Sequence, residues 1–174
     1  DYFQYDSLDR LISSRIVDNG TTVLQTNADY NVKNQLVSQS WTVGTGSNAA
    51  SYSESYTYNG ADGQLRKVTD QDSRVLDISY DALRRLRSAS NSVYTKAYTY
   101  RNISDTQTSN QVQTLKYTNL PVELTYSYTY DVLGNIKTIS DPLHGEKSYT
   151  YDAQGQMLSE KHCCLFSQKV CHLT

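Results

Sequence analysis

The residue types best suited to binding a metal ion lie together near the end of the sequence. His162, Cys163 and Cys164 are followed by Cys171 and His172, and these five include all three cysteines of the chain. A tetrahedral zinc site usually takes two pairs of Cys or His, each pair separated by two to four residues. The adjacent cysteines fit that spacing poorly, although His162, Cys164, Cys171 and His172 leave a four-ligand set open. We predict no metal site and interpret residues 159–174 as a divergent tail.

The other reactive side chains form no recognisable catalytic pattern. His144 lies between Pro142 and Gly145, where a solvated loop is expected. The sequence contains no nucleophile elbow, phosphate-binding loop or zinc-protease motif. Its many aspartates could suggest paired carboxylates or a calcium site, but turn capping explains them more simply. We therefore expect no catalytic residue, no cofactor and no enzymatic activity.

Composition predicts an all-β protein. The 174 residues include 14 Asp against 4 Glu, and 39 are Ser or Thr. Asp favours turns, whereas Thr, Val and Tyr favour strands. The net charge is -2, and the basic residues are not clustered as they would be on a nucleic-acid or anionic-membrane surface. Tyrosine stands out, with 16 Tyr against 2 Phe and 1 Trp.

The tyrosines mark an internal repeat. A Tyr followed by Asp or Asn starts units that are 25, 28, 22, 50 and 21 residues apart, and the interval of 50 contains a degenerate copy around Tyr98 and Tyr100. The chain therefore has about seven units. Their expected structural residues are Tyr5, Asp6, Tyr30, Asn31, Tyr58, Asn59, Gly63, Tyr80, Asp81, Tyr100, Tyr128, Tyr130, Asp131, Gly134, Tyr149, Tyr151, Asp152 and Gly155.

Each unit is predicted to be a β-hairpin. Paired tyrosines such as Tyr128 and Tyr130 are two residues apart, which places them on one face of a strand. The Asp or Asn that follows caps the turn, and a residue such as Gly134 tolerates positive φ. Arg84 occupies the same position in its unit, where a left-handed conformation would cost about 1 kcal/mol, so that unit suggests another turn type. After the turn, an apolar residue and then small polar residues continue with a period of two.

Seven hairpins predict a long, curved antiparallel sheet over residues 1–158. A single hairpin is marginally stable, so neighbouring hairpins must pair laterally. Such an open sheet leaves two unpaired edges, which favour aggregation or pairing with further repeats. Because the chain begins at Asp1 without a signal peptide, we expect it to be part of a longer protein.

The pattern Tyr-x-Tyr-Asp-x-x-Gly-x-Leu/Ile resembles the YD-repeat family, also called Rhs repeats. The copies that resemble it most are Tyr128 to Ile136 and Tyr149 to Met157. The family includes bacterial polymorphic toxins, shell components of insecticidal toxin complexes and animal teneurins. The resemblance implies a β-sheet strip that spirals into a hollow shell around a C-terminal module. The family's core motif, which in some members self-cleaves, has no counterpart here, because Asp141-Pro142 lies in an ordinary turn.

The resemblance predicts a structural role in a large bacterial protein that is secreted or displayed on the cell surface. The expected partners are other repeats of the same parent chain and an enclosed C-terminal toxin module, with neither nucleic acid nor a membrane span involved. The alternative is an adhesion or carbohydrate-binding surface, because a tyrosine ring offers an apolar plane with a hydrogen-bonding rim. Cross-strand tyrosine pairs that stabilise the sheet explain the same residues without a ligand.

Overall fold

The computed structural model describes residues 1–163 and 172–173, and these residues form antiparallel β-strands with a single short 3-10 helix at Gly46–Asn48. An all-β fold is therefore confirmed. The strands are β1 Tyr2–Tyr5, β2 Leu11–Asp18, β3 Thr21–Tyr30, β4 Leu36–Val43, β5 Ala50–Tyr58, β6 Leu65–Asp70, β7 Val75–Tyr80, β8 Leu86–Ser90, β9 Thr95–Ser104, β10 Gln107–Thr118, β11 Leu124–Tyr130, β12 Ile136–Asp141, β13 Gly145–Tyr151, β14 Met157–Cys163 and β15 His172–Leu173.

The chain divides into two compact units, Asp1–Ile78 and Ser79–Thr174, with the division inside β7. Within each unit, the strands pair with their neighbours in chain order, as expected for consecutive hairpins. Strand β14 runs across the predicted boundary between residues 158 and 159. The other residues of the predicted tail, 164–171 and 174, lie outside the described part, so the division into array and tail stays a prediction.

A bulge recurs in the hairpins where the strand meets the turn. In β3 and β4, Asp29 lies opposite Ser38 whereas Tyr30 lies opposite Leu36, which leaves Val37 as an extra residue. The same register shift precedes Tyr58 in β5, Tyr130 in β11 and Tyr151 in β13. The predicted unbroken period of two after the turn is therefore wrong, because the bulge inserts one residue between the apolar position and the first small polar one.

The two sides of the sheet differ in chemistry. In the first unit, Trp41 lies opposite Tyr52 on one side, and Thr42 lies opposite Ser51 on the other. The second unit repeats this division, since its strands alternate between aromatic or apolar residues and serine or threonine. We call these sides the aromatic face and the hydroxyl face. On the hydroxyl face, the side-chain oxygens of Thr42–Ser51, Ser79–Ser88, Thr99–Thr114, Thr129–Thr138 and Thr150–Ser159 pair at 2.6–2.9 Å.

Neither unit contains an enclosed apolar core among the described residues. No apolar side chain in the described part of the chain is buried, and the tyrosines of the aromatic face are mostly half-buried. Backbone pairing and contacts between adjacent hairpins must therefore supply much of the stability, as in other repeat proteins.

Candidate functional site

An aspartate or asparagine organises each turn that follows a repeat tyrosine. In the turn after Tyr130, Asp131 Oδ1 accepts hydrogen bonds from the backbone N–H groups of Leu133 at 2.9 Å and Asn135 at 2.8 Å. The other carboxylate oxygen, Oδ2, accepts one from the Asn135 side chain at 3.0 Å. Asp6, Asn31, Asp81 and Asp152 cap their turns through the same two backbone positions.

The residue at the end of the turn connects one turn to the next. Gln35 Nε2 donates to the backbone carbonyl of Gly63 at 2.8 Å, and Gln111 Nε2 donates to that of Gly134 at 3.2 Å. Arg10 Nη1 reaches the carbonyl of Asn31 at 3.1 Å. We call these side chains connector residues. Arg10 and Gln35 immediately precede the first residue of a strand, whereas Gln111 lies inside β10, and sequence reasoning missed them all.

Arg85 is a connector whose side chain contacts both its own turn and the next hairpin. Its Nε donates to Asp81 Oδ2 at 2.6 Å, and its Nη1 donates to Thr108 Oγ1 at 3.1 Å and to the carbonyl of Ser109. The guanidinium carbon lies 4.0 Å from the centre of the Tyr100 ring, a cation–π arrangement. Arg10 makes the equivalent contact with the Tyr30 ring at 4.9 Å.

Repeat tyrosines in the first strand of several hairpins contact the preceding hairpin. Tyr58 Oη donates to the backbone carbonyl of Leu36 at 2.8 Å. Backbone pairing between β4 and β5 begins only at Ser38 and Ser55, two residues beyond Leu36. The hydroxyl therefore bonds a carbonyl that lies past the end of the ladder, where an unpaired polar group would be costly.

This contact, which we call the tyrosine latch, recurs through the described residues. In each case the ladder between the two hairpins starts two residues after the acceptor, which begins a strand except at Val112, a residue inside β10. The other latches are Tyr30 to Leu11 at 3.2 Å, Tyr100 to Leu86 at 2.8 Å, Tyr130 to Val112 at 2.7 Å and Tyr151 to Ile136 at 2.8 Å.

The titratable groups of these contacts stay in the states that the hydrogen bonds require. The side-chain hydrogen bond from Arg10 lowers the pKa of Asp6, and that from Asn135 lowers the pKa of Asp131. Burial raises the pKa of the Tyr58 and Tyr130 hydroxyls. At neutral pH the carboxylates are therefore ionised acceptors and the phenols are protonated donors.

Two turns differ from the sequence-based expectation. Arg84 adopts φ 64°, so its turn is of the same left-handed kind as the others. Hydrogen bonds from the N–H groups of Leu83 and Arg85 to Asp81 Oδ1 hold that turn and offset the strain. The degenerate copy after Tyr100 contains no turn at that point, because β9 continues to Ser104 before the chain reverses. Tyr100 nevertheless makes its latch.

The remaining predicted residues lie in the expected elements. Tyr5 ends β1 opposite Leu11, and Tyr80 ends β7. Tyr128 lies on the aromatic face opposite Ile139, and Tyr149 Oη donates to Glu160 Oε1 at 3.2 Å. Gly63, Gly134 and Gly155 all have positive φ in their turns.

Only some of the Cys and His residues of the tail lie within the described part of the chain. The ring of His162 contacts Glu160 Oε1 at 2.8 Å, and Cys163 is exposed. Cys164 and Cys171 lie outside the described residues, as does the side chain of His172. Within the described part of the chain, no three His, Cys, Asp or Glu side chains form a group that could hold a metal ion. No helix there is long and apolar enough to cross a membrane.

Comparisons with known proteins identify part of the chain and several similar folds. Residues 130–162, from the Tyr130 latch into β14, match the RHS Repeat family model. No curated protein matches the chain. A crystal structure of TcdB2-TccC3 without its hypervariable C-terminal region is similar over 88% of this chain and 10% of its own, with 18% identity and a TM-score of 0.45.

Two further solved structures are similar. A Tc holotoxin pore from Photorhabdus luminescens aligns over 90% of this chain and 10% of its own, with 18% identity and a TM-score of 0.45. A porin-like protein from Bacteroides uniformis aligns over 93% of this chain and 92% of its own, with 10% identity and a TM-score of 0.32. The chain spans about a tenth of the length of the TcdB2-TccC3 chain. The match to the repeat model covers one full turn with its cap, latch and following strands, and residues 130–162 are therefore similar to an Rhs, or YD, repeat.

Proposed function

We propose that the chain is a non-catalytic segment of the wall of a larger bacterial Rhs-repeat protein, and that this wall encloses a C-terminal toxin module. The observation that supports a wall is the pair of contacts between consecutive hairpins. Connector residues reach forward to the next turn, and tyrosine latches reach back to the preceding hairpin. A segment built this way gains stability from each added neighbour without an enclosed core.

The chemistry of the repeat residues supports a structural role over a catalytic one. The turn carboxylates are occupied by backbone N–H groups and by their own connector side chains. Lowered pKa values suit these carboxylates to accepting hydrogen bonds and make them poor general acids at neutral pH. The repeat tyrosines, turn residues and glycines, from Tyr5 to Gly155, are accordingly proposed as structural residues.

The proposed partners follow from the same contacts. Further repeats of the parent chain pair with the edges of the sheet, and the enclosed module lies behind one of its faces. Such a protein is secreted or exposed on the bacterial surface. The adhesion alternative places a glycan on the exposed aromatic side chains, and the latch tyrosines suit it poorly because their hydroxyls already donate to backbone carbonyls.

Two experiments test containment. The flanking coding sequence is expected to encode further Tyr-x-Tyr-Asp repeats, a core motif and a variable C-terminal module, whereas lectin modules or an anchor there would contradict the proposal. In the full-length protein, limited proteolysis is expected to spare the C-terminal module while the wall is intact.

A double variant sharpens the proteolysis test. Tyr130→Phe with Tyr151→Phe removes two adjacent latches and is expected to accelerate cleavage of the C-terminal module. The matched control is Tyr128→Phe, since the Tyr128 hydroxyl makes no hydrogen bond within the described residues. If the module is cleaved as fast in the wild-type full-length protein as it is in isolation, the wall does not enclose it.

A further inference from the structure

The sequence contains two Asn-Gly dipeptides, and the structure places them in turns of different construction. Asn19 and Gly20 form the loop between β2 and β3, whereas Asn59 and Gly60 begin the turn after β5. An asparagine before glycine can deamidate, because glycine has no Cβ to shield the backbone nitrogen that attacks the side chain. The two dipeptides are chemically alike, so a difference in their reactivity must come from the fold.

The loop at Asn19 leaves the reacting groups free. Both of its residues are exposed, and both have positive φ, 47° for Asn19 and 80° for Gly20. A Cβ built on Gly20 would meet nothing within 4 Å, so the surroundings of its nitrogen are open. Within the described residues, the Asn19 side chain makes no hydrogen bond. Its side-chain carbonyl carbon, Cγ, is therefore free to approach the Gly20 nitrogen.

The end of the β2–β3 hairpin that carries this loop is held by few contacts. Beyond the bulge at Val23, only two residue pairs of the hairpin remain, Val17 with Thr22 and Asp18 with Thr21. The described pairing of β3 with β4 stops before both pairs, and its last contact is a backbone hydrogen bond to the Val23 carbonyl at 2.9 Å. Local opening of such a hairpin end costs much less than global unfolding. The backbone rotation that brings the Asn19 side chain onto the next nitrogen is therefore accessible in the folded protein.

The turn at Asn59 holds the same groups in place. Asn59 Oδ1 accepts a hydrogen bond from the Ala61 N–H at 2.9 Å, and Asn59 Nδ2 donates to Asp62 Oδ2 at 3.2 Å. The backbone carbonyl of Asn59 accepts from the Gly63 N–H at 2.9 Å. These three hydrogen bonds must break before the side chain can turn toward the nitrogen of the next residue.

We propose that Asn19 is a site of spontaneous deamidation in the folded protein and that its turn protects Asn59. Hydroxide removes the proton of the Gly20 N–H, and the nitrogen attacks Asn19 Cγ to close a cyclic imide. The bond from Cγ to the side-chain amide nitrogen breaks, and this nitrogen takes a proton from water and leaves as ammonia. Water then opens the imide at one of its two carbonyls, which gives aspartate or isoaspartate.

Both products change the end of the hairpin. Each adds a negative charge beside Asp18, where like charges are destabilising. Isoaspartate also adds one carbon to the main chain of the two-residue loop, so Asp18 and Thr21 cannot keep their register. The hairpin end should therefore open more often after conversion. This modification is independent of containment, because it requires no enclosed module.

Peptide mapping by mass spectrometry tests the proposal on the full chain. The protein is incubated for days at mildly alkaline pH, and the deamidated fraction of each Asn-Gly site is followed over time. Asn19 is expected to convert at least about tenfold faster than Asn59, because hydrogen bonds restrain only the latter. In concentrated urea the two sites should convert at similar rates. Equal rates in the folded chain, or a difference that persists in urea, would overturn the proposal.

Two variants test the cause and the consequence. Asp62→Ala removes the acceptor of Asn59 Nδ2 and is expected to raise the Asn59 rate severalfold while the Asn19 rate stays unchanged. Asn19→Gly tolerates the positive φ and lacks the reactive side chain. Amide hydrogen exchange at Thr21 should be faster in aged than in fresh wild type and unchanged by ageing in Asn19→Gly. If the Asn59 rate does not rise in Asp62→Ala with wild-type far-UV circular dichroism, or if ageing affects Asn19→Gly equally, the proposal is wrong.

Discussion

Replacing one latch tyrosine by phenylalanine tests how the hairpins are held together. Tyr130→Phe keeps the ring on the aromatic face and removes only the hydroxyl that donates to the Val112 carbonyl at 2.7 Å. A neutral hydrogen bond contributes about 1 kcal/mol net. Backbone pairing between β10 and β11 ends at Thr114 and Ser127, so no ladder bond close to Val112 replaces the lost one.

The loss should be local, because each repeat contacts mainly its neighbours. Amide hydrogen exchange resolves such local opening, whereas a single unfolding midpoint averages over the array. A loss of about 1 kcal/mol corresponds to about fivefold faster exchange at the ends of β10 and β11 near the turn. Exchange in the first unit, Asp1–Ile78, should not change.

Tyr128→Phe is the matched control for this measurement. Tyr128 is two residues before Tyr130 in β11 and lies on the same face. Burial raises the pKa of its hydroxyl too. Its hydroxyl makes no hydrogen bond within the described residues, so the variant should change exchange little. Equal effects of Tyr128→Phe and Tyr130→Phe, or no effect of either, would refute the idea that the hydroxyl closes the end of the ladder.

Three further outcomes are expected. Gly134→Ala should cost about 1–2 kcal/mol and more than Gly155→Ala, because a Cβ would meet Gln111 Nε2 at 3.1 Å in the first case and Asn135 Oδ1 at 3.6 Å in the second; chemical denaturation with equal losses would contradict this. Burial raises the pKa of the latch tyrosines Tyr58, Tyr100 and Tyr130, so their stabilisation is complete below about pH 10, the unfolded value, and is lost as pH rises through the folded pKa. If tyrosinate absorbance titrates at the unfolded pKa without loss of β-structure, this pH dependence of the latch is wrong. The isolated chain should self-associate through its open edges, and Phe3→Lys in β1 should reduce this; a clean monomer by light scattering would count against the open edge.

The fold class and the turn caps could be predicted because they depend on local sequence. Alternation such as Tyr128 and Tyr130 requires only strand geometry, and an Asp capping a turn requires only residues within four positions. The prediction for Arg84 was wrong because strain was considered without the compensating hydrogen bonds to Asp81. A cost of about 1 kcal/mol is small beside two such bonds and the strand pairing that follows.

The contacts between hairpins could not be predicted from residue types because they depend on register. Tyr58 reaches Leu36, 22 residues earlier, only because the ladder stops at Ser38. The connector position did leave a signal, since Arg10, Gln35, Gln64, Arg85, Gln111, Asn135 and Gln156 all precede an apolar strand residue. Each has a side chain that can donate hydrogen bonds. A search for donors five residues after the repeat tyrosine would have found all of them except Gln64 and Gln111.

The latch also explains why the chain uses tyrosine where phenylalanine would give the same ring. A half-buried phenylalanine would cover the aromatic face equally well, and the sequence contains only 2 Phe against 16 Tyr. Phenylalanine would leave the carbonyl beyond the end of each ladder without a hydroxyl donor. Burial at this site limits the access of water that could replace that donor. An insertion such as that between Tyr100 and Val112 is tolerated because it lengthens the hairpin beyond the turns while Tyr100 and Tyr130 keep their acceptors. The fold therefore requires the tyrosine hydroxyl and its position relative to the acceptor carbonyl in the preceding hairpin. The length of the hairpin itself is much less restricted.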